Sequence, residues 1–136
     1  MAIWQFDLCF VPVGASGPTI SEDGWEAPPL PPSAAYGVQE DLAHYFGSPW
    51  FMLNDWIVFG PENGNRVDLL FESDGSAGIY VRCDTRDDAP QFLVLISDLA
   101  RIYNSNFYIP STKELIAADR WQVLAAMTQG MSTSWN

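Results

Sequence analysis

The first 65 residues contain no lysine or arginine, although they hold eight of the 17 acidic residues of the chain. All six basic residues follow from Arg66 onward, and the formal net charge of the 136 residues is -11, with a pI near 4.1. A nucleic-acid-binding protein needs basic side chains to displace the counterions of the phosphates. An anionic membrane surface makes the same demand. The composition therefore argues against both kinds of partner.

Histidine, catalytic motifs and long apolar runs are also scarce. The single histidine, His44, excludes multi-histidine zinc sites. The sequence has no P-loop, no G-x-S-x-G and no G-x-G-x-x-G. No stretch approaches the roughly 18 apolar residues that cross a bilayer. We therefore expect no cofactor, no metal site and no catalytic residue.

The cysteines and the N-terminus give information about the cellular compartment of the protein. Cys9 and Cys83 lie in predicted strands with apolar neighbours, which is typical of buried thiols. A disulfide between them would require the two strands to be adjacent, which the sequence leaves open. Residues 1–4 lack the basic and apolar segments of a signal peptide, so we expect a cytoplasmic protein.

Hydrophobic periodicity predicts a single α+β domain over residues 1–136. We expect an antiparallel sheet of four to six strands with two or three helices packed on one face. Period-two alternation and turn residues predict strands at 4–11, 56–59, 67–71, 79–86, 106–109 and 115–116. Helical spacing predicts helices at 34–46, from Asp88 to Tyr103 and from Asp119 to Gly130.

Two segments are expected to lie outside regular structure. Residues 12–33 hold six prolines, which predicts a long loop without helix or strand, and residues 131–136 are expected to form a flexible tail. Trp25, near the centre of the loop, either fixes the loop to the domain or is presented to a partner. The last helix is expected to bury one stripe of residues, namely Trp121, Leu124, Ala125 and Thr128.

One predicted strand carries an unusual pattern of charge. Arg82, Asp84 and Arg86 alternate, so their side chains project from one strand face. Two guanidiniums flanking one carboxylate leave a net positive site, which suits a ligand carboxylate or phosphate held by bidentate hydrogen bonds. The alternative is structural, with these arginines pairing across the sheet with Asp68 and Glu72.

The order of elements from residue 66 to residue 130 resembles a known group of proteins. An R-x-D-x-R strand precedes a helix containing Phe92, Ile96 and Leu99, and a short hairpin and a helix begun by an aspartate follow. This order is similar to small acidic bacterial proteins of unassigned function and loosely resembles immunity proteins of bacterial toxin systems. The resemblance implies a cytoplasmic α+β domain that neutralises a toxin by covering its basic active site.

The first function hypothesis is a non-enzymatic interaction module that presents an acidic, aromatic surface to a basic partner protein. The alternative is that the acidic charge only prevents aggregation. The candidate partner-binding residues all precede the first arginine: Glu22, Asp23, Trp25, Glu26, Glu40 and Asp41.

The second hypothesis is a small-ligand domain, or an enzyme, with a pocket lined by Trp50, Trp56 and Tyr80 and anchored by Arg82 or Arg86. It requires a concave surface over the arginine-bearing strand face that no helix covers. A third alternative makes the apolar run 50–53 an interface, so the chain is expected to be a monomer or a homodimer.

Overall fold

The protein is described by a computed structural model that covers residues 4–22, 24–87 and 90–133. Asp23 and Asp88, and the last part of the expected tail, 134–136, lie outside the described residues. The described chain forms nine strands and three helices, in the order β1 (Gln5–Pro12), β2 (Thr19–Ser21), β3 (Gly24–Glu26), α1 (Pro32–Phe46), β4 (Trp50–Leu53), β5 (Trp56–Phe59), β6 (Arg66–Phe71), β7 (Ala77–Asp84), α2 (Pro90–Ile102), β8 (Ser105–Ile109), β9 (Glu114–Ile116) and α3 (Arg120–Thr133).

Seven strands form one antiparallel sheet in the order β4-β5-β6-β7-β1-β8-β9. The expected α+β class and antiparallel sheet are confirmed, but the expected size of four to six strands is wrong. The additional strand is β4, which the two residues 54–55 join to β5 as a hairpin at the sheet edge. An apolar run of four residues does not show by its periodicity whether it is a strand, which is why the sequence left it unassigned.

One face of the sheet is covered by all three helices, as expected. Alternate residues of the strands, such as Leu8 and Ile79, pack in a single buried cluster with Val38 of α1, Ile96 of α2 and Val123 of α3. Because side chains alternate along a strand, the other half of the strand residues project from the opposite face. The helices therefore leave that opposite face uncovered.

Helix α3 is rotated relative to the sequence prediction. Val123 is fully buried and packs with Ala126 and Met127, whereas Trp121 is 62% exposed and Leu124 is 43% exposed. The expected inner stripe is therefore wrong. The Trp121 ring remains outside, 4.7 Å from the guanidinium of Arg120. The helix also continues to Thr133, beyond the expected end at Gly130.

The proline-rich segment contains regular structure that the sequence did not predict. Strands β2 and β3 pair as a short antiparallel hairpin, with Gly24 at a φ of +121° where β3 begins. Residues 19–26 contain no proline, so their backbone N–H groups can enter a ladder. Leu30 then pairs with Ala77 at the start of β7, and its side chain belongs to the core on the helix-covered face.

The β2–β3 hairpin packs against the helix-free face. Trp25 contacts Tyr80 of β7 and Tyr108 of β8, with ring centroids 5.4 and 6.4 Å apart. The backbone N–H of Ala27 donates to the Tyr80 hydroxyl at 3.0 Å. Trp25 thus fixes the loop to the sheet, which is one of the two alternatives that the sequence left open. Within the described ranges, no helix is long and apolar enough to span a bilayer.

Candidate functional site

A cavity of about 700 Å³ lies on the helix-free face, between the β2–β3 hairpin and strands β1, β5, β6 and β7. Its walls are partly apolar and aromatic, formed by Trp25, Met52, Trp56, Leu70 and Tyr80. Cavities of this size and lining are typical of small-molecule sites. The polar part of the lining is formed by Asp7, Glu26, Glu62, Asn63, Arg66, Asp68 and Arg82.

Strand register brings three of these charged residues into one row across the floor of the cavity. Arg82 on β7 lies directly opposite Asp7 on β1 and directly opposite Arg66 on β6. Residues directly opposite in neighbouring strands project from the same face, with Cβ atoms about 5 Å apart. Across the floor, from β1 through β7 to β6, the charged groups are therefore the Asp7 carboxylate, the Arg82 guanidinium and the Arg66 guanidinium.

The Arg66 guanidinium is held by partners within the protein. Its Nη2 donates to Asp68 Oδ2 at 3.0 Å, and its Nη1 donates to the Glu62 carbonyl at 3.0 Å. The Nε lies 3.0 Å from Asp68 Oδ1 in an ion pair, although its N–H is not aligned for a hydrogen bond. The Trp56 indole N–H also donates to Asp68 Oδ2, at 2.8 Å. Arg66 and Asp68 are 4% and 7% exposed, so they form a buried pair that neutralises both charges.

Arg82 has a different environment. It is half-buried at the cavity floor, and the described part of the chain gives it no hydrogen-bond or ion-pair partner. Its neighbour Asp7 is engaged elsewhere, because both carboxylate oxygens accept from the Gln5 side-chain amide, at 2.9 and 3.0 Å. A guanidinium that has no acceptor within the protein has its N–H groups free to donate to a bound ligand. Arg82 is therefore the side chain in this cavity that is best placed to bind an anionic group.

The structure separates the predicted triad of Arg82, Asp84 and Arg86. Strand β7 ends at Asp84, and Arg86 folds back in a bidentate pair, with its Nε and Nη2 each 2.9 Å from a carboxylate oxygen of Asp84. The Arg86 guanidinium also stacks 4.1 Å from the Trp4 ring. These hydrogen bonds from Arg86 hold the pKa of Asp84 below its usual value. Only Arg82 of the triad lines the cavity.

The alternative of a charge ladder from the arginines to Asp68 and Glu72 is not found. The register places Arg66, rather than an acid, opposite Arg82, and Asp68 lies opposite Tyr80. The sequence established the alternation within each strand but not the register between strands, because register depends on contacts between distant parts of the chain.

The expected aromatic lining is largely present. Trp56 and Tyr80 line the cavity, and burial raises the pKa of Tyr80 above its usual value. Trp50 is not part of the lining. Its indole N–H donates to the Gly60 carbonyl at 2.8 Å, and its ring lies 5.6 Å from the Arg66 guanidinium. Arg66 also lines the cavity, and the sequence did not predict that position for it. Arg66 and Asp68 are two residues apart in a strand, so their side chains share one face, and this spacing could have identified the pair.

The six candidate partner-binding residues do not form one surface. Trp25, Glu22 and Glu26 belong to the hairpin region on the helix-free face. Glu40 and Asp41 lie on α1, which packs on the opposite face of the sheet. Asp41 is also engaged in the fold, since it accepts a hydrogen bond from the Tyr103 hydroxyl at 2.8 Å. Asp23 is outside the described residues.

The two cysteines lie on adjacent strands but on opposite faces of the sheet. Cys83 belongs to the helix-side core, whereas Cys9 packs with Val11 and Ala27 under the hairpin. Both are unpaired thiols, and burial raises the pKa of each to about 12. Thiolates are the reactive form of cysteine, so neither residue is suited to nucleophilic chemistry.

The described residues contain no group of three histidine, cysteine, aspartate or glutamate side chains placed to hold a metal ion. No protein-family model, curated protein or solved structure matches the chain.

Proposed function

We propose that this protein binds a small organic ligand through a carboxylate group, in the cavity between the β2–β3 hairpin and the sheet. The observation that carries the proposal is that Arg82, a half-buried residue of the cavity lining, has no hydrogen-bond or ion-pair partner within the described chain. A carboxylate can accept two parallel N–H groups from a guanidinium, and such bonds are about twice as strong as neutral ones.

The charges around Arg82 favour a carboxylate over a phosphate. The Arg66–Asp68 pair contributes no net charge, and the remaining acids of the lining are Asp7, Glu26 and Glu62. A phosphate carries nearly two negative charges at neutral pH. One guanidinium among three carboxylates can balance a monoanion more easily than a dianion.

The walls suit a ligand with an apolar or aromatic body. Trp25, Trp56 and Tyr80 offer ring faces, and Met52 and Leu70 add flexible apolar surface. Aromatic contacts contribute about 0.5–1.5 kcal/mol beyond the burial of their area. The guanidinium would thus orient the ligand while the walls supply the apolar contacts.

The test is isothermal titration calorimetry with 4-methylbenzoate, which combines a carboxylate with an aromatic ring. Hydrogen bonds to charged groups contribute about 1.5–3 kcal/mol, so Arg82→Gln should weaken binding by roughly tenfold or more. The matched control is Arg101→Gln, which removes an exposed guanidinium from α2 on the opposite face and should leave the affinity unchanged. Arg86→Gln should also leave it unchanged.

Three results would contradict the proposal. They are the absence of binding to the unmodified protein, equal affinities for the Arg82→Gln variant and the unmodified protein, and an equal loss of affinity in the Arg101→Gln control. A loss of affinity confined to Arg86→Gln would instead show that the anion binds near the end of β7.

Docking of a basic partner protein stays a prediction, as does the resemblance to immunity proteins. The charge asymmetry before Arg66 still favours it, although its candidate residues lie on two sides of the sheet. A pull-down with the native protein at low and high salt tests it. A single basic protein recovered at low salt and lost at high salt would support this function.

A further inference from the structure

The charges that line the cavity do not balance. After the Arg66–Asp68 pair is set aside, Arg82 is the remaining cation of the described lining, whereas Asp7, Glu26 and Glu62 are all acidic. A ligand that carried only a carboxylate would satisfy Arg82 and add to the excess of negative charge. A ligand with a cationic group as well would reduce that excess.

The positions of the acids show where a cationic group would lie. Asp7 is on the floor beside Arg82 and is bonded to the Gln5 amide. Glu26 on β3 and Glu62 in the turn between β5 and β6 are both exposed, so they lie at the mouth of the cavity. The cavity therefore has a guanidinium at its floor and two carboxylates at its entrance.

The aromatic walls between floor and mouth suit the same charge arrangement. Trp25 lies next to Glu26 on β3, and Trp56 lines the cavity from β5. A cation close to the face of a tryptophan ring is attracted by the ring quadrupole. The net charge of -11 on the chain also raises the local concentration of cationic ligands.

We infer that the ligand is a zwitterion whose two charges are separated by an apolar body, as in an ω-amino acid, with a carboxylate bound by Arg82 at the floor and an amine bound by the carboxylates of Glu26 and Glu62 at the mouth. This inference rests on the proposed function, because it assumes that a carboxylate occupies the floor of the cavity. It adds the second charged group, which distinguishes ω-amino acids from simple organic acids.

Three probes of one shape separate the two charged groups. They are 4-(aminomethyl)benzoate, 4-methylbenzoate and 4-methylbenzylamine, which carry both charges, the carboxylate alone and the amine alone. Exposed ion pairs are individually weak, so two of them should together make the zwitterion bind roughly fivefold tighter than 4-methylbenzoate. The amine alone should bind most weakly, because it leaves Arg82 without an acceptor.

A double variant tests the position of the amine. Glu26→Gln combined with Glu62→Gln should remove the advantage of the zwitterion without weakening 4-methylbenzoate. The matched control combines Glu40→Gln with Glu114→Gln, which removes two exposed carboxylates from α1 and β9, away from the cavity, and should keep the advantage.

The outcomes distinguish this inference from the proposed function. Equal affinities of the zwitterion and 4-methylbenzoate would overturn the inference and leave the carboxylate site standing. An advantage that survives in the Glu26/Glu62 double variant would also overturn it. Failure of both carboxylates to bind, or binding of the amine as tightly as the zwitterion, would overturn both.

Discussion

Asp7 and Arg82 lie directly opposite each other in the register of β1 and β7, yet they form no ion pair. The Asp7 carboxylate is instead bonded to Gln5, two residues earlier on the same strand face, whose amide donates to both of its oxygens. This arrangement holds an acid beside Arg82 without occupying its guanidinium. Asp7 therefore lowers the local positive potential but leaves the N–H groups of Arg82 available.

The first prediction concerns this neighbouring charge. Asp7→Asn removes a carboxylate beside the proposed anion site, so 4-methylbenzoate should bind about three- to tenfold tighter, as expected for a partly screened charge at this range. Calorimetric titration measures the effect. Asp98→Asn on α2 is the control, because Asp98 is exposed and pairs with Arg101 on the helix side. Weaker binding by the Asp7→Asn variant would contradict this account of the site.

The second prediction concerns the buried Arg66–Asp68 pair. Arg66→Met leaves the Asp68 carboxylate buried with only the Trp56 N–H as a side-chain donor, and removal of one partner of a buried pair typically costs about 3–5 kcal/mol. The double variant Arg66→Met/Asp68→Leu removes both charges and should cost less than Arg66→Met alone. Urea unfolding measures both free energies. A double variant that is less stable than Arg66→Met would contradict this account, because it would show that the unpaired Asp68 carboxylate is not the source of the loss.

The third prediction concerns the packing of α1 against Tyr103, which follows α2. A Cβ atom added at Gly37 would lie 2.5 Å from Cε1 and Oη of Tyr103, whose hydroxyl is held by Asp41. Overpacking of this kind costs about 1–3 kcal/mol, against about 1 kcal/mol gained by replacing glycine within a helix. Gly37→Ala should therefore destabilise the protein by roughly 1 kcal/mol.

The same substitution made in a Tyr103→Leu variant shows whether the contact with Tyr103 is what destabilises Gly37→Ala. In a Tyr103→Leu variant the far end of the ring is absent, so Gly37→Ala should become neutral or stabilising. Thermal or urea unfolding of the four proteins gives the coupling energy. An equal cost of Gly37→Ala in both backgrounds would exclude the Tyr103 contact as its origin.

The fourth prediction concerns pH and Asp84. Hydrogen bonds from Arg86 lower the pKa of Asp84 in the folded state, so the ionised carboxylate stabilises the fold above its unfolded pKa of about 3.9. That stabilisation is lost as the pH falls through the lowered folded-state pKa. Arg86→Gln removes these side-chain bonds, so it should raise the pKa of Asp84 and move acid unfolding to higher pH.

Urea unfolding between pH 2 and pH 7 tests the sign of this effect. The stability difference between the unmodified protein and Arg86→Gln should be present at pH 7 and should shrink at the acid end. Carbon-13 NMR titration of the Asp84 carboxyl measures its pKa directly. A stability difference that grows toward low pH would contradict the assignment.

The parts of the fold that the sequence predicted depend on local periodicity. The alternation in residues 4–11 and the helical spacing after Pro90 identified β1 and α2, because one face of each element is buried along its whole length. The end of α1 at Phe46 was also predicted, and the next residue, Gly47, adopts a φ of +83° that glycine tolerates well. These features need no information from distant residues.

The parts that the sequence missed depend on contacts between distant elements. Trp25 fixes the β2–β3 hairpin through Tyr80 and Tyr108, which lie far away along the chain, so the prolines around it gave no sign of that hairpin. Helix α3 turns Val123 towards the core, and the hydrophobic pattern of this helix is too weak to predict that orientation from the sequence.

The candidate site was likewise predicted only in part. Trp56, Tyr80 and Arg82 were expected to share a pocket, and the structure places all three in the cavity lining. Arg86 leaves the face because β7 ends at Asp84, and a strand end cannot be located reliably from alternation alone.

The most direct test of the central claim is a titration followed in the proton–nitrogen-15 NMR spectrum of the arginine side chains. The Nε–Hε resonance of Arg82, assigned by its loss in Arg82→Gln, should shift when 4-methylbenzoate binds. The resonances of Arg86 and Arg101 should not, since both lie outside the cavity. Saturation with ligand that leaves the Arg82 resonance unchanged, or that shifts Arg86 instead, would contradict the assignment of Arg82 as the carboxylate-binding residue.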